Sequence, residues 1–419
     1  MTKKYDIIVA GGGFAGAAAA ISAARCGQKV LLFDNANCLG GAAANCLVNP
    51  FMRNSTKING VQKELSAGIF KEIKEKIKEF QELTKEPEVA FNEEHLKIIL
   101  NRMALEAGVE LLFHAKLFEV SYKERKLESV TVATKSGNLT FYADYFIDAT
   151  GDADLAVLAG CDFHLGRNED QLCQPMTLCF RLSNVDIEKY YEERPAMQEL
   201  YKQFRKENKI TNPREDILVF RVPQKNVLHF NSTRIVKLNP VDPYDLTKAE
   251  IEAREQVLEL YLFLKSNFSA FKDAELLSTA AQIGVRESRM IDGRYLLTGK
   301  ELVDCARFED SIACGNYDID IHNPEGSGTS HYYFPDGQYY EIPYRSLLPG
   351  QIDNLLVAGR CISVDHEAQA SIRIMPIVCC IGEAAGVGAA VAAKAKVSAA
   401  DADIHEIQRI LTQNGAVIH

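Results

Sequence analysis

Three glycines spaced Gly11-x-Gly13-x-x-Gly16 follow an apolar run, Ile7 to Ala10, and precede a small-residue run, Ala17 to Ala24. Strand, tight turn and helix in that order bring bare backbone close to a pyrophosphate and aim helix N–H groups and partial positive charge at its oxygens. Gly16 lets the helix lie against the strand. Lys29 to Phe33 reads as a second strand, and Asp34 closes it with a carboxylate placed to accept hydrogen bonds from a ribose. Strand, helix and acid together point to nucleotide binding rather than to a plain glycine-rich turn.

Further along, Cys38-Leu39-Gly40-Gly41-Ala42-Ala43-Ala44-Asn45-Cys46 is too poor in side chain to fill its own space. It reads either as a second close approach of backbone to ligand or as a turn leading into a small-residue helix. In Tyr317-Asp318-Ile319-Asp320-Ile321-His322 the alternation sets two carboxylates and an imidazole on one strand face. Nothing nearby completes a ligand set, so a solvated strand face is expected and no metal. The cysteines include no Cys-x-x-Cys pair, and the vicinal Cys379-Cys380 is expected to pack inside a helix.

The elements that must position these groups can be read in order. Val61, Leu65, Ile69, Ile73, Ile77 and Phe80 form a helical stripe over Gly60 to Glu82. Asn92 reads as the N-cap of a helix to about Ala107, ended by Gly108, and Val109 to His114 as a third strand. A small antiparallel meander follows through Val120, Leu127, Val130 and Val132 with a turn at Ser136-Gly137-Asn138. The strand Ala143 to Asp148 then runs into Ala149-Thr150-Gly151-Asp152, another sheet edge able to face a ligand.

From about Cys161 to Tyr344 the texture changes to short strands (Met176 to Leu182, Ile217 to Val222, Val227 to Phe230) and an amphipathic helix, Thr247 to Lys265. Thr298-x-x-Glu301 has the capping-box form, and Pro335-Asp336-Gly337 signals a hairpin turn. The first texture returns with the strand Asn354 to Ala358 and a helix opened by Met375-Pro376. The expected fold is α/β: a discontinuous Rossmann-like domain, residues 1–160 and 346–419, with a parallel sheet, helices on both faces and a small β-meander. An α+β substrate module, residues 161–345, is inserted between its halves.

The 419 residues allow two or more structural domains, and the net charge of −10 without a basic run argues against a nucleic-acid surface. No eighteen-residue apolar run appears, so no membrane span is expected. Met1-Thr-Lys-Lys-Tyr5 leads straight into the first strand, so no secretory signal is expected, and the 11 cysteines lack a framework spacing. The expected setting is reducing and cytoplasmic, with a small-molecule substrate as partner.

The set Gly11-Gly-Gly13-Phe14-Ala15-Gly16, Asp34, Leu39-Gly40-Gly41, Ala149-Thr150-Gly151-Asp152, Asn354 to Arg360 and His366 to Pro376 resembles the two-dinucleotide-binding-domain flavoproteins, and most closely the FAD-dependent oxidoreductase family. Gln174 to Thr177 and Gly284 to Arg289 are also family-like. The resemblance spans nearly the whole chain. It implies that Gly11, Gly13, Phe14, Ala15 and Gly16 hold the FAD pyrophosphate and that Asp34, with Asn35 beside it, holds the adenosine ribose. Gly40, Gly41 and Ala42 would run along the cofactor, Leu117 would lie beside adenine, and Ala149, Thr150 and Gly151 would close over the dinucleotide. Gly359 and Arg360 would approach the ribityl chain. Backbone at Ile374, Met375, Pro376 and Ile377 would point a helix N-terminus at the flavin pyrimidine edge, where a helix dipole favours the reduced anion. The Cys38 to Cys46 segment holds no histidine of the kind that tethers flavin in fumarate-reductase-type relatives, so non-covalent FAD is expected, with Cys38 or Cys46 as the residual attachment points.

By position in these motifs the candidates for substrate and proton handling are His366, Arg373, Arg286 and His331, with Arg289 and Arg345 behind them. A histidine suits acid–base work near neutral pH and an arginine a bidentate clamp on a carboxylate. For Arg373 and Arg286 a structural ion pair is an equal alternative, and His331 reads first as a packed strand residue. The expected activity is hydride transfer between FAD and a small polar organic substrate, a carboxylate being one option. The alternatives are a flavoprotein electron-transfer subunit with a redox partner protein, or a cofactor-biosynthetic or RNA-modifying flavoprotein.

Overall fold

The computed structural model describes residues 4–87 and 89–419. β1 (Lys4–Ala10), α1 (Phe14–Arg25) and β2 (Val30–Phe33) form the first βαβ unit, with β1 and β2 parallel. α1 is buried from Phe14 through Ala23, and only its alanine-rich sequence allows cover on both sides. α2 (Ala42–Asn45) is a single short turn.

β3 (Ser55–Ile58) and β4 (Val61–Glu64) form a hairpin through Asn59 and Gly60, whose φ angles are 51° and 78°. This corrects the helix expected from Gly60: α3 begins only at Ile69 and runs Ile69–Thr84. An Asn-Gly pair in left-handed conformation makes a tight two-residue turn, and that local chemistry prevails over an apolar spacing that happened to continue the helical period. α4 (Glu93–Glu106) starts as read, with the Asn92 side chain accepting from the Glu94 N–H at 3.0 Å.

β5 (Glu110–Leu112), β6 (Lys116–Lys123), β7 (Lys126–Thr134) and β8 (Gly137–Asp148) complete most of a sheet ordered β5-β2-β1-β8-β7-β6. β8 does two jobs. From Gly137 to Tyr142 it pairs antiparallel with β7, and from Tyr142 to Asp148 it runs parallel to β1. The exposed meander thereby grows out of the buried parallel core on one continuous strand.

α5 (Asp154–Leu158) and β9 (Phe163–Leu165) lead into a four-stranded antiparallel sheet made of β10 (Phe180–Ser183), β11 (Val219–Arg221), β12 (Leu228–Phe230) and β13 (Glu275–Thr279). α6 (Ile187–Lys206) and α7 (Pro243–Asn267) cover it. β14 (Arg289–Ile291) pairs with β9, and α8 (Gly299–Val303) carries the capping box read at Thr298 and Glu301. β15 (Ser311–Gly315), β16 (Ile319–His322), β17 (Thr329–Tyr332) and β18 (Tyr340–Pro343) form two separate ribbons, β15 with β18 and β16 with β17. The turn at Pro335-Asp336-Gly337 therefore joins two different ribbons rather than closing a hairpin, and Gly337 donates its N–H to Thr56 Oγ1 instead. β19 (Leu355–Val357) returns to the main sheet parallel to β8, followed by α9 (His366–Ile372), α10 (Met375–Ala395) and α11 (Ile404–Gln413).

Two clusters of buried apolar side chains hold the chain together. One unites both ends with Met290 through Leu348, and the other gathers Leu47 with Met176 through Ile283. The segment 161–345 thus divides between two cores. α10 is long and apolar enough to cross a membrane, with a mean hydropathy of 1.7, but that window is wholly buried inside the fold. It lies so close on α1 that a Cβ on Gly382 would stand 2.1 Å from the Ala15 carbonyl and one on Gly386 2.2 Å from that of Ala19.

Glu383 of α10 is 1% exposed. Its Oε2 accepts from the Ile69 N–H at the start of α3 at 3.0 Å, and its Oε1 has no hydrogen-bond partner among the described residues. Burial pushes its carboxyl up to about 7. The folded protein therefore holds a proton there that the unfolded chain releases near its ordinary value, and stability falls as pH rises from about 4.5 to 7, by about 1.4 kcal/mol per unit. Glu383→Gln is expected to be more stable than the parent at pH 8 and to lose that advantage at pH 4.5. A stability difference independent of pH, measured from urea midpoints, would refute this.

Candidate active site

The carboxyl ends of β1, β8 and β19 meet at one edge of the main sheet, and the glycine turn crosses them. Gly11 has a φ of 100°, and a Cβ there would stand 2.4 Å from the Ala149 carbonyl oxygen. A Cβ on Gly16 would lie 1.8 Å from the Gly11 carbonyl. Gly41, at a φ of 50°, comes so close to Gly13 that its Cβ would reach 2.7 Å from the Gly13 Cα, while Gly13's own Cβ would meet nothing nearer than 3.9 Å. The two glycine segments therefore touch along one side and leave the other side of Gly13 open.

That open side faces a cavity of about 360 Å³. Of the residues expected to hold the cofactor, Gly13, Phe14, Ala15, Asp34, Asn35, Gly40, Gly41, Ala42, Ala149, Thr150, Gly151, Gly359, Arg360 and Met375 line it. A second cavity of about 170 Å³ shares Asp34, Asn35 and Thr150 with the first and is also lined by Gly11 and Leu117. Together they make one elongated trough. Gly16, Ile374, Pro376 and Ile377 stand behind its lining, Gly16 by packing the turn and Ile374 as the residue preceding the first turn of α10.

α1 and α10 both begin at this trough, and neither has a side-chain cap. Their first N–H groups are left for a ligand, and the positive ends of two helix dipoles converge on it. Asp34 is held by the N–H groups of Ala36, at 2.6 Å, and Gly12. Asp148, fully buried with its carboxyl pushed up to about 6 by burial, accepts from the Thr150 N–H and Oγ1 and from the Ala156 N–H, which fixes the second turn. Arg360 lies along the wall with Nη2 2.6 Å from Asp152 and Nε without a partner. An elongated trough with bare backbone, two uncapped helix starts and an acid at the adenosine end fits FAD.

Sequence reasoning missed several wall residues. Asp152 and Cys46 lie inside motifs already singled out, whereas Gln282, Ile283 and Val285 arrive from the second core, anchored where the Gln282 N–H meets the Asn45 carbonyl at 3.1 Å. The Cys46 thiol donates to the Ile283 carbonyl at 3.6 Å, and burial pushes it up to about 12, so it stays a thiol. Cys38 lies off the wall, 3.6 Å from Asn45 Oδ1.

Beside the trough the strand face bearing Asp318, Asp320 and His322 is withdrawn from solvent at Asp320 and His322, while Asp318 is half-buried. Asp320 and His322 are 7% and 8% exposed, because β17 brings His331 opposite Asp320 and Thr329 opposite His322, and arginines from distant segments cover these two residues. Asp320 Oδ2 meets Arg373 Nη2 at 3.2 Å and His322 Nε2 at 3.2 Å, and His322 Nδ1 accepts from Arg234 Nη2 at 3.0 Å. Burial alone would raise the Asp320 carboxyl, but His322 and Arg373 hold it well below the usual range. Burial, reinforced by Arg286, keeps His322 neutral.

Arg373 lines the trough, and its Nε has no hydrogen-bond partner among the described residues. Arg286 is half-buried and does not itself line the trough, although its neighbour Val285 does; it donates from Nη1 to the Pro175 carbonyl and to Thr177 Oγ1, both at 2.6 Å, and among the described residues no carboxylate lies within ion-pair reach of it. Burial, then the charges of Arg373 and Arg214, push its guanidinium down to about 9.

The other candidates are turned elsewhere. His366 points Nδ1 at the fully buried Glu287, 2.7 Å away, and does not line the trough. Burial would lower its pKa, but the hydrogen bond and charge of Glu287 outweigh that and raise it. Glu287 also accepts from the Gln174 N–H at 2.7 Å, so this pair ties α9 to the inserted segment. His331 holds Asp318 Oδ2 at 2.5 Å and stacks on Tyr333 at 5.2 Å. Arg289 binds the Asp152 carbonyl at 2.6 Å and Asp154, and Arg345 pairs with Asp310 and lies over the Tyr295 ring.

No curated protein sequence matches the chain. Solved structures similar to it include a geranylgeranyl bacteriochlorophyll reductase-like protein from Thermoplasma acidophilum, at 12% identity and a TM-score of 0.47, over 99% of this chain and 83% of the other. A p-nitrophenol 4-monooxygenase from Pseudomonas putida is similar at 10% identity and a TM-score of 0.45, over 99% and 84%. A flavin-dependent brominase is similar at 12% and 0.47, over 99% and 84%. The family model described as FAD dependent oxidoreductase matches residues 6–411, so this chain belongs to that family.

Proposed function

We propose that this FAD-dependent oxidoreductase binds its cofactor non-covalently in the trough and oxidises or reduces a small organic carboxylate held by Arg286 and Arg373. FAD supplies the hydride chemistry when bound. The observation that carries the reading is Arg286: a half-buried guanidinium whose burial and neighbouring arginine charges disfavour it, and which lacks a carboxylate partner among the described residues, is stabilised when an anion completes its pairing. Arg373 stands beside it with an unpartnered Nε and is held in place by Asp320. Two planar guanidinium forks suit a carboxylate, which they bind with charge-assisted hydrogen bonds. With residues 1–160 and 346–419 as the cofactor-binding part and 161–345 as the substrate-facing part, Arg373 comes from the first and Arg286 from the second. The anion site then lies at their junction.

The closed chain Arg234–His322–Asp320–Arg373 leaves His322 with both ring nitrogens engaged, so its task in this reading is to orient Asp320 rather than to exchange protons with substrate. The thiol of Cys46, kept protonated by burial, is a poor attachment point, in keeping with a non-covalent cofactor.

Titrating the FAD-loaded protein with mono- and dicarboxylates and with the corresponding uncharged amides tests this reading. Carboxylates are expected to perturb the flavin absorption bands saturably and the amides to leave them unchanged. Equal responses to acids and amides would sink it, and reduction of the flavin only through a protein partner would favour the electron-transfer alternative.

A further inference from the structure

Asp318, Asp320 and His331 bring one donor atom each to a common point, all three within 4.8 Å of one another. Asp318 stands just ahead of β16, Asp320 lies on it, and His331 lies opposite Asp320 on β17, so the cluster is built on a paired ribbon. The two oxygens of Asp320 have different fates. Oδ2 is taken by Arg373, His322 and Tyr317, whereas Oδ1 is buried and has no hydrogen-bond partner among the described residues. That oxygen is aimed into the cluster, 3.8 Å from His331 Nδ1, which is itself 2.5 Å from Asp318 Oδ2.

We propose that these three side chains form a site for a divalent first-row transition-metal ion, with Asp318 Oδ2, Asp320 Oδ1 and His331 Nδ1 as ligands and water in the open positions. One imidazole with two carboxylates suits Mn²⁺, Fe²⁺ or Zn²⁺ better than the all-oxygen sites of Ca²⁺ and Mg²⁺. Ligands about 2.1 Å from a tetrahedral ion stand roughly 3.4 Å apart. The His331–Asp318 pair must open slightly and the His331–Asp320 pair must close slightly. The His331 side chain, which keeps 32% of its surface exposed, and the half-buried Asp318 have room to make these adjustments.

The ion supplies what the buried Asp320 Oδ1 lacks, and its charge is matched by the two carboxylates. On binding, the imidazole proton that bridges to Asp318 moves to Nε2 or leaves, and the Nδ1 lone pair becomes the ligand. Arg373, held on the other oxygen of Asp320, opposes a second cation nearby, so micromolar rather than tighter affinity is expected. His322, although on the same strand face, is excluded because Arg234 and Asp320 Oδ2 occupy its two nitrogens.

The probe is Mn²⁺, which avoids the protein's thiols. FAD-loaded protein freed of metal by chelator and gel filtration is titrated while the signal of free Mn²⁺ is followed by electron paramagnetic resonance. One ion bound per chain is expected, and Asp318→Asn and His331→Gln are expected to weaken it at least tenfold with unchanged melting temperatures. Absence of stoichiometric binding in the parent protein would overturn the proposal whatever the variants do. So would binding that survives in either variant, which would place the ion elsewhere, for example on the pyrophosphate. The outcome is independent of the carboxylate titration.

Discussion

Gly13→Val is expected to yield a folded, colourless protein. The Cβ of the new side chain would meet no protein atom closer than 3.9 Å, and the backbone at Gly13, with φ −66° and ψ −175°, is extended and suits a β-branched residue. The space it fills is the trough itself, directly in front of the first N–H groups of α1. Losing two charge-assisted hydrogen bonds there, at about 1.5–3 kcal/mol each, weakens cofactor binding by at least ~100-fold. Gly16→Ala provides the contrast. Its Cβ would lie 1.8 Å from the Gly11 carbonyl oxygen, which is rigid backbone, and 3.1 Å from the Ala149 Cβ, so turn and helix must part and the folded state itself is lost. The measurement is the flavin absorption of each purified variant together with its far-ultraviolet circular dichroism. A yellow Gly13→Val protein with stoichiometric FAD would show that the dinucleotide does not run past this glycine.

What the sequence made legible were features whose cause lies within a few residues: the glycine turn, the Asn92 cap, the Thr298–Glu301 box and the proline start of α10. The Asn59-Gly60 hairpin is equally local, but the apolar spacing from Val61 continues the stripe of α3 backwards and hides it; Val61 proves 69% exposed. The face carrying Asp318, Asp320 and His322 was misread for a different reason. Its cover consists of Arg234, Arg286 and Arg373, which stand tens of residues away in the chain and are polar, so no hydrophobic pattern announces the burial. Gln282, Ile283 and Val285 escaped for the same cause: their place in the trough is set by packing of the second core against α2.

Arg286→Met is expected to leave FAD in place and to abolish the flavin response to carboxylates. Methionine keeps much of the apolar stem and removes the charge that burial and Arg373 already make costly, so the fold loses little and gains some relief. The lost hydrogen bonds to the Pro175 carbonyl and Thr177 Oγ1 set the limit on that relief. An anion held by two guanidinium groups loses one charge-assisted pair, about 3 kcal/mol, hence ~100-fold in affinity. Arg286→Lys should keep weak binding because an ammonium is a point charge without the fork. A carboxylate affinity undiminished in Arg286→Met would assign the guanidinium to structure and leave Arg373 alone as the anion ligand.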